Sequence, residues 1–336
     1  MKKIKKFLVL TVAIISLISL SGCGKENAKS VLKKFEKNVS KTNGYQVEAE
    51  MKLINNEDVY RYDVTASYKK SDYFRVSLRN KTNNHEQIIL KNDEGVYVLS
   101  PNLNKSFKFQ SKWPYNNSQS YLINSVLNDM KNDTKLTMKK DGKNYVFKST
   151  VNYKNNSNLS YQKVTLDKNC IIKSVVVYDK NDNEQIRVDY KSVDMRAKFN
   201  DDYFDVEENI KTSDTTKTEK KTSSFDEAIY PMYLPEGTYL ETEKTVELDG
   251  GERIILTFNG EQSFMLVEEK VNKLDELEIV PTSGDIDLLT DSIGIIGSSS
   301  VSWISNDIEY YLVSSDLSVS ELVTVAKSVA TMPVGK

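Results

Sequence analysis

Histidine is almost missing from this 336-residue chain, and its scarcity removes much catalytic chemistry before any fold is considered. The single histidine, His85, lies between Asn84 and Glu86 in a stretch that reads as a solvated turn. A Ser-His-Asp arrangement or a histidine general base would have to use it, and no G-x-S-x-G nucleophile elbow occurs. Cysteine is equally scarce. Cys23 and Cys170 are the only two, too few for a disulfide framework and, with one histidine, too few for a zinc site. Asp179 to Glu184 starts like a calcium loop, but Glu184 occupies the position that needs glycine and Tyr190 the position of the closing glutamate, so a hairpin turn is the better reading. Gly294-Ile295-Ile296-Gly297 falls short of a dinucleotide fingerprint and reads as a loop. The 48 acidic residues give many chance carboxylate pairs, so no pair is singled out. These absences predict a binding protein with no catalytic residues, no metal ligand set and no cofactor.

A membrane-spanning run is not offered by the N-terminus either. The apolar stretch Phe7 to Leu20 has fourteen residues, short of the about 20 that cross a bilayer. It follows Lys2, Lys3, Lys5 and Lys6 and ends in Leu20-Ser21-Gly22-Cys23. A basic n-region, an apolar h-region and small residues before a cysteine resemble a bacterial lipoprotein signal. That resemblance implies a diacylglyceryl group on the Cys23 thiol, cleavage after Gly22, and a protein held on the extracytoplasmic face of the cell membrane. Two acyl chains, at about 0.8 kcal/mol per buried methylene, make a durable anchor. Cys170, beside Ile171-Ile172, then has no partner and reads as a buried packing thiol.

Hydrophobic residues make up 39% and charged residues 28%, with nineteen tyrosines, which indicates a folded, β-inclined chain. Charge is unevenly divided. Residues 24 to 223 carry 36 basic and 27 acidic groups, and residues 224 to 336 carry 6 and 21. The opposed fields predict that a C-terminal unit docks on a basic N-terminal one and covers its opening, loosened by salt. Nucleic acid is a poor partner for an exported chain with this net charge.

Ala28, Val31, Leu32, Phe35 and Val39 recur at helical spacing with lysines opposite, an amphipathic covering helix. At Tyr45 the period changes to two: Tyr45, Val47, Ala49, Met51 and Leu53 alternate with polar residues. Strands are predicted near 59–68, 73–79, 86–91, 95–100 and 105–110, a second covering helix over Ser120 to Met130, and strands near 134–140, 143–151, 159–167, 171–178 and 184–193. Asp141-Gly142 and Asn181-Asp182-Asn183 supply hairpin turns. Residues 210 to 224 are rich in Thr, Lys and Ser and read as a flexible linker. Beyond it, strands near 238–247, 252–258, 263–268, 299–305 and 308–314 precede a helix from Val319, capped by Ser318 and Glu321 and burying Leu322, Val323, Ala326 and Val329.

The result is mainly β, of the α+β class: a large curved antiparallel half-barrel with covering helices, plus a small C-terminal α/β domain. Ile88 to Pro101, with Lys105 and Phe107 completing a P-x-x-x-K-x-F spacing, and the helix from Ser120 resemble the LolA, LolB and LppX group of lipoprotein and lipid carriers. The Tyr233-Leu234-Pro235-Glu236-Gly237 entry, Trp303 with the Asn306-Asp307 turn, and the last helix resemble a small domain of exported Firmicute proteins. The two-domain order resembles RseB/MucB, and the whole is most similar to the YdcC-like sporulation lipoproteins, to which clostridial germination lipoproteins are related. The domains are placed at 1–22 (signal peptide), 23–209 (half-barrel), 210–224 (linker) and 225–336. The resemblance implies a lipid or acylated ligand, or else a protein-interaction module that controls an envelope sensor or a cortex-modifying enzyme. Tyr60, Tyr62, Tyr68, Phe74, Val76, Leu78, Phe107, Phe109 and Phe147 are the candidate lining of the concave face, where acyl chains could be enclosed without hydrogen bonds.

Overall fold

The computed structural model describes residues 26–55, 58–213, 227–248 and 251–329. The signal segment, Cys23 and residues 214–226, which include most of the predicted linker, lie outside the described residues.

Helix α1 (Ala28–Ser40) buries Val31, Phe35 and Val39, the face its spacing predicts. Its first turn is closed by Asn27 and Ser30, each side chain accepting from the other's backbone N–H, at 2.9 and 3.1 Å. A six-stranded meander follows: β1 (Gly44–Asn55), β2 (Asp58–Lys69), β3 (Tyr73–Asn80), β4 (Glu86–Asn92), β5 (Gly95–Ser100) and β6 (Lys105–Phe109). After α2 (Ile123–Asn132) a second meander runs through β7 (Thr137–Asp141), β8 (Asn144–Thr150), β9 (Leu159–Leu166), β10 (Ile172–Asp179) and β11 (Glu184–Asp194). β11 pairs with β1, so the two meanders are arms of one open sheet that does not close into a barrel.

Alternation sends Tyr45, Val47, Ala49, Met51 and Leu53 of β1 inward, as the two-residue period requires. The predicted hairpins form, with Gly142 (φ +55°) and Asp182 (φ +65°) in the left-handed region. At the second of them the segment that starts like a calcium loop is indeed a turn: Asp179 Oδ1 accepts from the N–H groups of Asn181 and Asn183, both at 2.8 Å. Cys170 is 1% exposed in the turn before β10, and burial pushes its thiol up.

The C-terminal residues build a second sheet from β12 (Thr238–Leu248), β13 (Gly251–Gly260), β14 (Phe264–Lys270), β16 (Asp285–Leu288), β17 (Ile293–Ile296), β18 (Ser300–Ser305) and β19 (Ile308–Val313), in the order β12-β13-β14-β19-β18-β17-β16. One further strand, β15 (Glu278–Thr282), leaves this sheet and pairs in parallel with β6, as the twelfth strand of the large one. Helix α4 (Val319–Ser328) has the expected capping box, with Ser318 N–H donating to Glu321 Oε2 at 2.9 Å, and buries Leu322, Val323, Val325 and Ala326. Trp303 stacks on Tyr310 with ring centroids 4.8 Å apart, across the hairpin that Asn306 and Asp307 turn.

Three features depart from the sequence reading. Ile293–Ile296 is a strand, not a loop: it alternates between two cores, with Ile293 and Ile295 packing into the large sheet's core and Ile296 into that of the smaller sheet, so no polar face marks it. Gly294 is required there because a Cβ would come within 2.8 Å of the Leu289 side chain. β15 and β16 are the second omission: β15 pairs with the distant β6, and β16 is a four-residue strand that forms a short hairpin with β17. The third is helix α3 (Val206–Ser213), which enters the stretch read as linker. Its Val206 and Ile210, with Phe204, cover Ile88, Leu90, Tyr97 and Leu99 on the outer face of the sheet.

Candidate binding face and junction

All nine predicted lining residues belong to one apolar mass on the inner side of the large sheet: eight are buried, and Tyr68 is half-buried against it. Cross-strand pairing puts Tyr68 opposite Phe74, Ala66 opposite Val76 and Val64 opposite Leu78. The rings of Tyr68 and Phe74 lie 5.1 Å apart, and Trp113 meets Phe74 edge-on at 5.9 Å. Phe107 and Phe109 line the same face at the β6 edge, beside β15. Phe147, on β8, is in the other arm under the helices.

The first arm's inner face is not open. Ile286, Ile293, Ile295 and Ile304 of the C-terminal strands pack into it, and polar contacts fix the cover. Tyr62 OH donates to the Thr290 carbonyl at 3.0 Å, Ile293 N–H donates to Gln87 Oε1 at 2.7 Å, and Asn83 Nδ2 donates to Asn306 Oδ1 at 2.7 Å. An ion pair, Lys105 Nζ to Glu309 Oε2 at 2.6 Å, lies beside the β15–β6 pairing. The cover expected from opposed charge is therefore present, but it is held mainly by backbone pairing and apolar burial, which salt does not screen as it does exposed charge.

These covering residues escaped the sequence reading. The usable signal was Ile293-Gly294-Ile295-Ile296, an apolar run that a loop would have left exposed. His85 lies in the predicted turn between β3 and β4, half-buried, and with Tyr62 and Asp291 it borders a cavity of about 20 Å³. Burial pushes the Asp291 carboxyl up, and Ser305 Oγ donates to it at 2.6 Å. Burial likewise pushes the Tyr62 hydroxyl well above its ordinary range.

At the end of the first arm a cavity of about 100 Å³ remains between the two sheets. The large sheet contributes Leu53, Asn55, Leu159 and Ile186 to its wall, the loop before α2 contributes Gln119, and the C-terminal unit contributes Asp287 and Lys327. Asn55 Nδ2 and Thr290 Oγ1 both donate to the Lys327 carbonyl, at 3.1 and 2.6 Å, tying the wall together. Among the described residues no group of three or more His, Cys, Asp or Glu is placed to hold a metal ion.

A family model described as sporulation protein YdcC-like matches residues 2–204. The sporulation protein YdcC of Bacillus subtilis (strain 168) is 34% identical over 331 residues, covering 98% of each chain. Among solved structures, the MucA/MucB complex of Pseudomonas aeruginosa aligns over 90% of this chain and 96% of the other at 10% identity and a TM-score of 0.32. A LolA superfamily protein from Nitrosomonas europaea aligns over 53% and 97% at 12% identity and a TM-score of 0.29.

Proposed function

Because the chain belongs to the YdcC-like sporulation protein family, we propose that it is a non-catalytic lipoprotein of the sporulating cell envelope, anchored through Cys23, that admits an acyl chain beneath its C-terminal cover. The observation that carries this reading is the source of the cover. The inner face of the first arm is closed by four isoleucines that come from a different sheet. An acyl chain of about 14 methylenes, at about 0.8 kcal/mol each, offers about 11 kcal/mol, and four isoleucine side chains at about 1.5–3 kcal/mol offer about 6–12 kcal/mol. The two occupants are matched closely enough to exchange.

Native mass spectrometry of the membrane-extracted protein tests this. The expected mass is the chain from Cys23 with its covalent acyl groups, plus one lipid that departs on collisional activation. A protein that carries only the covalent groups, and takes up no added oleate, overturns the acyl ligand. Arrival of the full precursor without acyl mass overturns the anchor.

A second reading, a module that docks an envelope or cortex-modifying protein, is favoured by β12. This edge strand is exposed along nearly all of its 11 residues and presents Tyr239, Leu240, Val246 and Leu248 to solvent. An open edge of this kind accepts an added strand. A stoichiometric co-purifying protein lost on substitution of these residues would favour it.

A further inference from the structure

An anchor at Cys23 leaves the protein little freedom in how it meets a membrane. Only Gly24 and Lys25 separate that cysteine from Glu26, a reach of at most about 11 Å between Cα atoms. Glu26 is held to the β7–β8 hairpin: its carboxylate accepts from the Tyr145 hydroxyl and pairs with Lys140 Nζ at 3.6 Å. Asn27 then caps α1, whose buried Val31, Phe35 and Val39 lock it to the sheet. The hairpin belongs to one rim of the second arm. Tyr145 and Ile172 both pair with Leu166, Ser174 pairs with Asp189, and Gln46 pairs with Asp194. The β7–β8 turn, the β9–β10 turn, the end of β11 and the start of β1 therefore lie side by side. α1 runs along this rim. Lys34 Nζ donates to the Lys168 carbonyl at 3.4 Å, Asn38 Nδ2 to the Asn169 carbonyl at 3.1 Å and, just past the helix, Thr42 Oγ1 to the Met195 carbonyl at 2.6 Å.

The rim is basic. Residues 26–41, 139–143, 167–173 and 194–198 hold twelve Lys and Arg against five Asp and Glu. Glu26 and Glu36 are paired with lysines, and Asp167 and Asp194 each accept a backbone N–H of their own turn at 2.8 Å. Where α1 ends, an open cleft of about 620 Å³ is walled by Lys41, Arg196 and Lys198 together with Asn43, Ile171 and Met195, and no acidic side chain lines it among the described residues. Its three cations are exposed and form no ion pair among the described residues. The acidic C-terminal unit, by contrast, joins the large sheet through β15, at the edge opposite β7.

We propose that this rim is the face the protein lays on an anionic phospholipid bilayer, and that the cleft takes a lipid headgroup phosphate between Lys41, Arg196 and Lys198. The orientation rests on the Cys23 anchor of the proposed function. α1, with 13 residues, is about 20 Å long, so the anchor fixes its β7–β8 end and the headgroup cleft fixes the other. Each lysine near an anionic surface raises affinity about fivefold, and Arg196 adds a planar fork that matches phosphate. The same surface repels the C-terminal unit, which turns β12 and the cover of the first arm to the aqueous side.

Amine-acetylation footprinting of the membrane-extracted protein tests this in nanodiscs of phosphatidylcholine alone and of phosphatidylcholine with about 30% phosphatidylglycerol. Lys37, Lys143 and Lys198 are expected to react about threefold or more slowly in the anionic discs, with Lys180 on the opposite rim and Lys244 on β12 unchanged. Lys41→Gln, Arg196→Gln and Lys198→Gln change exposed positions, so the triple variant should fold with unchanged circular dichroism. In it Lys37 should regain its reactivity, while Lys143, beside the tether, stays protected. Equal reactivity of the rim lysines in both discs, protection of Lys244 in their place, or a triple variant that matches the wild type at Lys37 overturns the proposal. An extracted chain without acyl groups defeats the anchor alone: flotation of that chain with phosphatidylglycerol vesicles and not with phosphatidylcholine keeps the rim as a lipid-binding face, and flotation with both or with neither removes it.

Discussion

The two arms of the large sheet solve the same problem with different covers. Over β7–β11 the inner face is closed by helices, α1 from the start of the described chain and α2 from just before β7, held by contacts such as Asn38 Nδ2 to the Asn169 carbonyl at 3.1 Å. Over β1–β6 it is closed by strands from beyond residue 284, with β15 stitched to the β6 edge. The first cover is legible in the sequence, because each helix shows its buried stripe. The second arrives from a different sheet, and under the proposed function it is the one an acyl chain displaces.

Removing a side chain from each cover sharpens this contrast. Phe35→Ala, in α1, should cost about 3–5 kcal/mol in denaturant unfolding of the large sheet, since Phe35 is 2% exposed in its core. Ile295→Ala should cost about 2–3 kcal/mol, because a cover made of short strands can settle into the space, and it should raise binding of an apolar dye. Equal costs without dye binding would make the two covers equivalent.

Between those two effects lies a pH dependence confined to the C-terminal unit. Burial pushes the Glu268 carboxyl up to about 7, against the Ile229 N–H that donates to it at 3.1 Å. The folded state therefore keeps a proton that the unfolded state has lost, so stability falls as pH rises from about 4.5 to 7, by about 3 kcal/mol in all. Glu268→Gln should flatten unfolding of that unit across this range. An unchanged slope in the variant would assign it to other groups.

The smallest expected effect is that of salt. Trypsin should nick the lysine-rich stretch between residues 214 and 224, and the fragments should co-elute at 1 M NaCl as they do at 0.1 M, because β15–β6 pairing and the isoleucine contacts do not rely on exposed charge. Separation at high salt would restore opposed net charge as the joint.

What could be read in advance follows the same division. α1, α2 and β1 carry clean periods of 3.6 or 2 because each has one buried face and one wet one. The capping box at Ser318 and the turns at Gly142 and Asp182 are local chemistry and need no tertiary context. The nine inner residues were identifiable as a face, but what covers most of them was not. β17 is buried on both sides and four residues long, so it has no polar period. α3 is eight residues, too short for its stripe of Val206 and Ile210 to stand out. Asp287 looked like any of 48 acids, since its burial depends on contacts between segments far apart in the chain.

The displaceable cover is tested most directly by hydrogen exchange on the membrane-extracted protein with and without added oleate. With oleate bound, the backbone amides in 278–296 and 301–304 should exchange faster, while β1–β4 and the α1–α2 cover keep their protection. Oleate binding that leaves 278–296 as protected as before would contradict it.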